Sequence, residues 1–168
     1  CFAKGETKLR NCAIEPEIDD LIIFLKKIGC KIKRKGKRGI NVSGINKLKS
    51  TVHKVVFDRI EVGTYMIAAA LTKGDLKIKN INPKIISTEI NVLRKMGVYI
   101  TIKKKIITVS RSEKLKSANV ETKPYPGFPT DLQAQIMVLM ILASGKSTIK
   151  ENIFENRFMH VSELRRMG

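Results

Sequence analysis

A chain of 168 residues with 43% hydrophobic and 29% charged residues, and only five prolines and eleven glycines, has enough apolar surface for one packed core. That balance excludes a disordered or fibrous chain. The longest apolar run, 136–143, falls far short of the roughly 20 residues of a membrane span. No basic-then-apolar leader opens the sequence, so a cytoplasmic location is expected.

The net charge of +18 would draw phosphate-rich partners at low salt. The lysines and arginines are spread over 26–27, 33–38, 47–49 and 103–105, however, with no tryptophan and few interleaved aromatics. That pattern favours a lysine-rich solvated surface over a base-stacking platform, and the same field would help recruit an anionic small substrate. Cys1, Cys12 and Cys30 are odd in number and unrelated in spacing. They suit neither a disulfide framework nor a metal site and fit a reducing compartment.

In chain order, residues 1–3 read as the end of a buried helix and "KGETKLRN" (4–11) as a short strand. An amphipathic helix follows, with Ile18, Leu21, Ile22, Leu25 and Ile28 at helical spacing and closure at Gly29. "CKIKRKGKRGINVSG" (30–44) alternates apolar with polar on both sides of a turn, the pattern of a hairpin. Residues 64–71 are apolar on every face, as in a buried helix that ends near a glycine. The strand "KGDLKIKN" (73–80), a helix ending in "LRKMG" at Gly97 and the hairpin "VYITIKKKIITVS" (98–110) come next. A second buried helix spans 132–143, with Thr130 as its N-cap. "GKSTIKEN" (145–152) is then a strand, and Phe154, Phe158, Val161 and Leu164 mark a last amphipathic helix closed at Gly168.

These elements repeat. The glycines of the three strand segments, Gly5, Gly74 and Gly145, step by 69 and 71 residues; the closing glycines, Gly29, Gly97 and Gly168, step by 68 and 71; "KLKS" occurs at 47–50 and 114–117. One unit of about 70 residues, ordered helix, strand, helix, hairpin, therefore recurs in an α/β chain. The sequence opens inside one copy and stops before a third hairpin, as a fragment truncated at both ends would.

"IEPEIDDLIIFLKKIG" (14–29), "FDRIEVGTYMIAAAL" (57–71), "TKPYPGFPTDLQAQ" (122–135) and "IFENRFMHVSELRRMG" (153–168), in this order and at these separations, resemble the UDP-N-acetylglucosamine 1-carboxyvinyltransferase family of enolpyruvyl transferases. The resemblance runs over the whole chain and implies an inside-out α/β barrel built from such repeats. Residues 1–57 would close a first domain and 58–168 would open a second. The implied reaction moves the enolpyruvyl group of phosphoenolpyruvate onto the 3-hydroxyl of UDP-N-acetylglucosamine with release of phosphate. That is the first committed step of peptidoglycan synthesis, and so belongs to cell wall biogenesis, cell shape and division. No cofactor, metal, nucleic acid or membrane is implied.

By the same resemblance, Asp131 matches the family's general base, Ile153 and Phe154 match contacts to the uridine nucleotide, and Arg157 matches an arginine near the reacting groups. Asp58, Arg59 and Glu61 fall in the interdomain region. Each has a plainer reading. Asp131 suits the positive end of a helix dipole, as do the acids at 58 and 61; Ile153 and Phe154 continue an apolar face; Arg157 could pair with Glu155 or Glu163 on a solvated helix. The family's reactive-cysteine loop and its phosphoenolpyruvate-holding cations have no match here, so the chain alone is expected to be inactive. The rivals are the sister 3-phosphoshikimate 1-carboxyvinyltransferase and a basic, non-catalytic nucleic-acid-binding protein.

Overall fold

The computed structural model describes residues 1–110 and 112–168 and divides into two compact units, Cys1–Val56 and Phe57–Gly168. The first unit holds strand β1 (Glu6–Leu9), helix α1 (Pro16–Lys27) and the hairpin β2 (Lys31–Lys35) and β3 (Gly39–Ser43). Its antiparallel sheet runs in the order β1-β3-β2, with Leu9 opposite Ile40 and Ile32 opposite Val42. Proline in the first turn, acids Glu17 and Asp19 beside it and Lys26 and Lys27 in the last turn all favour α1 where it stands. Its inner face packs Ile18, Ile22, Leu25 and Ile28 against Cys30, Ile32, Ile40 and Val42. Leu21 departs from the expected stripe and stays exposed.

The second unit begins with helix α2 (Arg59–Leu71) and repeats the pattern. Strand β4 (Leu76–Lys79), a 3-10 turn (Pro83–Ile86), helix α3 (Ser87–Lys95) and hairpin β5 (Tyr99–Lys103) and β6 (Ile106–Ser110) form a sheet ordered β4-β6-β5. Next come strand β7 (Asn119–Glu121), a 3-10 turn (Thr130–Leu132), helix α4 (Gln133–Ile141), strand β8 (Thr148–Lys150) and helix α5 (His160–Arg166). β7 pairs in parallel with β8, a pairing that the hairpin pattern did not announce.

The first two copies share their hydrogen bonds as well as the order strand, helix, hairpin. In the first, the N–H of Cys30 reaches the carbonyl of Leu25 at 2.9 Å and that of Lys49 reaches Ile28 at 2.9 Å. In the second, Val98 reaches Leu93 at 3.0 Å and Lys116 reaches Met96 at 2.9 Å. The repeated "KLKS" therefore does one job twice: its second lysine satisfies an orphan carbonyl at the end of a helix. Gly29 and Gly97 turn the chain there at φ of 99° and 88°, where a side chain would be strained.

The core of the second unit gathers Met66, Ile86, Leu93, Ile107, Leu132, Ile136 and Leu139 with almost no exposed surface. Each such side chain contributes about 1.5–3 kcal/mol by leaving water. α2 crosses the start of α4 at Gly63, where a Cβ would strike both methyls of Leu132. These helices are not covered on every face, since Tyr65, Ile141 and Leu142 lie more than half exposed. Among the described residues no helix is long and apolar enough to cross a membrane, and no cluster of three His, Cys, Asp or Glu could hold a metal.

Three local expectations are corrected. Residues 1–3 are not helical: the Cys1 carbonyl accepts from the Ile45 N–H at 2.9 Å, alongside the sheet. α4 begins at Gln133, and Thr130 opens a 3-10 turn without capping it. The last helix begins only at His160, because 155–159 is held in turns, with Asn156 at φ 55°.

Candidate active site

The segment that carries Asp131 is pinned before it reaches α4. Phe128 is 4% exposed and anchored in the core, Lys123 N–H reaches its carbonyl at 3.0 Å, and the Thr88 hydroxyl donates to the Pro126 carbonyl at 2.6 Å. Pro124, Pro126 and Pro129 fix φ along the approach, and the Tyr125–Pro126 peptide is cis. Leu132, fully buried against Gly63, then fixes the turn from below and leaves its neighbour Asp131 facing outward.

Among the described residues no backbone N–H donates to Asp131, so its carboxylate caps no helix. Its Oδ1 instead accepts from Arg157 Nη2 at 2.6 Å, with the two side chains 57% and 39% exposed. The guanidinium carbon of Arg157 also lies 5.4 Å from the Phe154 ring centroid. A cation so placed between a carboxylate and an aromatic face is oriented from two sides. The solvated-helix reading, with Arg157 paired to Glu155 or Glu163, gives way: Glu163 pairs with Arg166 at 3.0 Å and Arg157 with Asp131. Phe154 is 58% exposed, so it is not a core residue, while Ile153 is half-buried.

Around the pair lies a pocket of about 260 Å³, walled by Thr130, Asp131, Gln133, Asn156, Arg157 and His160 among others. Nε2 of Gln133 and Nε2 of His160 are buried, and among the described residues neither has a hydrogen-bond partner. Buried polar atoms are normally satisfied, so both nitrogens are unusual at this wall. A larger hollow of about 680 Å³ in the first unit is lined by Lys26, Lys31, Lys33, Arg34 and Lys35, with Glu6 among the other residues.

Beneath the pocket, Glu151 joins the two segments. One of its oxygens accepts from the Thr130 hydroxyl at 2.9 Å; the other accepts from the N–H groups of Ile153 at 2.8 Å and Phe154 at 3.2 Å. Burial works against its charge, but the Ile153 amide, the Thr130 and Thr122 hydroxyls and the Phe154 amide outweigh that and hold its pKa below the ordinary 4.5. Sequence reasoning missed Glu151, although a signal exists: glycine and asparagine are six apart at Gly5–Asn11 and Gly74–Asn80 but seven apart at Gly145–Asn152. Gln133 and His160 were also missed, since nothing in an apolar run singles them out.

The upstream candidates serve a helix start. Asp58 caps α2, its Oδ1 accepting from Ile60 N–H at 2.7 Å and Glu61 N–H at 3.1 Å. Arg59 is buried, 3.6 Å from Glu89 and with its guanidinium 5.6 Å from the Tyr125 ring centroid; Glu61 is exposed. Cys1 is exposed, Cys12 half-buried and Cys30 buried, and all three are free thiols.

Comparison with known proteins gives this geometry a lineage. The chain is 61% identical over its full length to UDP-N-acetylglucosamine 1-carboxyvinyltransferase from Pelagibacter ubique (strain HTCC1062), and 51% identical over 166 residues to the protein of that name from Geotalea uraniireducens (strain Rf4). It spans 40% of the length of each. Among solved structures, the enolpyruvyl transferase NikO from Streptomyces tendae superposes with a TM-score of 0.84 at 23% identity, over 99% of this chain and 40% of that one. EPSP synthase from Acinetobacter baumannii gives 0.58 at 22% identity, over 96% of this chain and 39% of that one. The sequence pattern of one family matches residues 1–168 without a gap at either end, and the chain therefore belongs to the EPSP synthase (3-phosphoshikimate 1-carboxyvinyltransferase) family of enolpyruvyl transferases.

Proposed function

We propose that this chain forms part of a cytoplasmic UDP-N-acetylglucosamine 1-carboxyvinyltransferase, with 1–57 closing one inside-out α/β barrel domain and 58–168 opening the next. The observation that carries the reading is the carboxylate of Asp131: it caps no helix, stands at a pocket, and is met by Arg157 at 2.6 Å. High identity to enzymes of that name supports the choice of substrate over the shikimate alternative.

In this reading the 3-hydroxyl of UDP-N-acetylglucosamine adds to C2 of phosphoenolpyruvate. Asp131 takes the hydroxyl proton, C3 of phosphoenolpyruvate gains a proton to become a methyl group, and the tetrahedral adduct then loses phosphate from C2 and one proton from that methyl group to restore the double bond. A general base must lie within hydrogen-bond reach of the proton it removes, which a carboxylate on a pinned turn can achieve. Arg157 must leave Asp131 as the hydroxyl arrives, and the anionic groups of phosphoenolpyruvate offer it a second partner. Phe154, with its exposed ring, and Ile153 border the nucleotide, and Gln133 and His160 wall the pocket. The product feeds peptidoglycan synthesis, and the reaction needs no cofactor.

The test is an exchange enzyme in which this chain replaces the matching stretch of the Pelagibacter ubique relative. Enolpyruvyl transfer to UDP-N-acetylglucosamine, lost by Asp131→Asn, is expected. Transfer to shikimate 3-phosphate instead, or full turnover by Asp131→Asn, would reject the reading.

A further inference from the structure

We propose that Glu151 is a positioning residue for the Asp131–Arg157 pair, a single carboxylate that holds segments 123–131 and 151–157 in register above the pocket. The catalytic consequence rests on the function proposed above; the geometric claim does not.

The copies of the repeat differ just after the strand. In the first two, an asparagine in the left-handed region, Asn11 at φ 53° and Asn80 at φ 63°, turns the chain after the strand. The next N–H then bonds the hairpin of its own copy: Cys12 to the Arg38 carbonyl at 2.8 Å and Ile81 to the Lys105 carbonyl at 3.0 Å. The third copy has one residue more between its glycine and its asparagine, and the residue just before that asparagine is Glu151. Here the N–H after the asparagine, that of Ile153, bonds the Glu151 carboxylate at 2.8 Å.

The second oxygen of the same carboxylate reaches Thr130, 21 residues away and adjacent to Asp131. The backbone on both sides is tied down as well. Asn152 N–H donates to the fully buried Thr122 hydroxyl at 2.9 Å, and its side-chain amide donates to Glu121 at 2.8 Å. Glu151 thus bonds the neighbour of the acid on one side and the segment leading to the arginine on the other. Charge-assisted bonds of this kind are about twice as strong as neutral ones. A first turn that merely needed a cap would not require the contact to Thr130.

The test uses the exchange enzyme with Glu151→Ala, Glu151→Gln, Thr130→Val and the double variant Thr130→Val/Glu151→Ala, followed by kinetics and crystal structures. A misplacement of about 1 Å costs on the order of 10²-fold, so Glu151→Ala should lose about that factor in kcat while KM for UDP-N-acetylglucosamine changes less than about threefold. Glu151→Gln should recover most of the loss, because its carbonyl can accept from Ile153 and its amide can donate to Thr130. The double variant should be no slower than Glu151→Ala alone. In the Glu151→Ala crystal the Asp131–Arg157 contact should open beyond hydrogen-bond reach.

An Asp131–Arg157 contact unchanged in that crystal overturns the proposal, as does an unchanged kcat with only a lower melting temperature. A Glu151→Gln variant as slow as Glu151→Ala also overturns it, since geometry alone would then not suffice. Should the parent exchange enzyme transfer no enolpyruvyl group, the function reading fails by itself. The crystal comparison then still decides the positioning claim in the same two directions.

Discussion

Two aspartates stand at the start of a helical segment in the second unit, and only one of them serves the helix. Asp58→Ala removes an acceptor from two backbone N–H groups, at 2.7 and 3.1 Å. Loss of such a cap costs about 1 kcal/mol, with a further 0.3–1 kcal/mol from the dipole. Asp131→Ala removes no cap, only an ion pair whose members are 57% and 39% exposed and a first-turn carboxylate that also meets the helix dipole. Exposed pairs of this kind are worth about 0.2–1 kcal/mol, less as salt rises. Urea unfolding of the chain followed by tyrosine fluorescence separates the two, because Tyr65, Tyr99 and Tyr125 all lie in the second unit and none lies in the first. With a urea slope of about 1–3 kcal/mol per molar, Asp58→Ala should lower the midpoint by roughly 0.4–2 M and Asp131→Ala by less at the same slope. In 0.5 M salt the small Asp131 effect should shrink further while the Asp58 effect persists. A loss of about 2 kcal/mol or more at Asp131, insensitive to salt, would mean that its carboxylate is a structural cap, and the acid–base argument would lose its footing.

The close crossing of α2 and α4 makes Gly63→Ala a second test. The new methyl gains about 1 kcal/mol of helix propensity but meets both methyls of a fully buried leucine. Overpacking of about 1–3 kcal/mol should leave the variant less stable, and stabilisation in the same urea assay would contradict the packing described. A third test is acid. Glu151 has a folded pKa below its ordinary 4.5, so its contribution is complete above 4.5 and is lost as pH falls through the lower folded value. Stability of the second unit should therefore drop more steeply below pH 4.5 in the parent than in Glu151→Gln; coincident curves would remove Glu151 from the set of groups that matter.

Much of the architecture was legible because it is local. Helix α1, both hairpins and the strands that precede them follow from apolar spacing and from glycines that must turn with positive φ, and the repeat made each copy a check on the other. The repeated "KLKS" was visible as letters; that its second lysine satisfies a helix-end carbonyl in both copies was not, since the partner lies some twenty residues upstream. Leu21 was misjudged for a similar reason. Spacing puts it on an apolar face, but exposure depends on which neighbours cover that face.

The site divides along the same line. The family resemblance singled out Asp131, Ile153, Phe154 and Arg157, because the motifs that carry it are properties of short stretches. That Asp131 spends its carboxylate on Arg157 and not on a helix cap, that Phe154 faces outward over the same guanidinium, and that Glu151 holds the two segments together are relations between residues 3 to 26 positions apart. Propensity and periodicity act over one or two turns of chain, so the sequence by itself determined the repeating elements and nominated the acid. Which groups meet across the pocket depends on how those elements pack, and only the tertiary structure decided that.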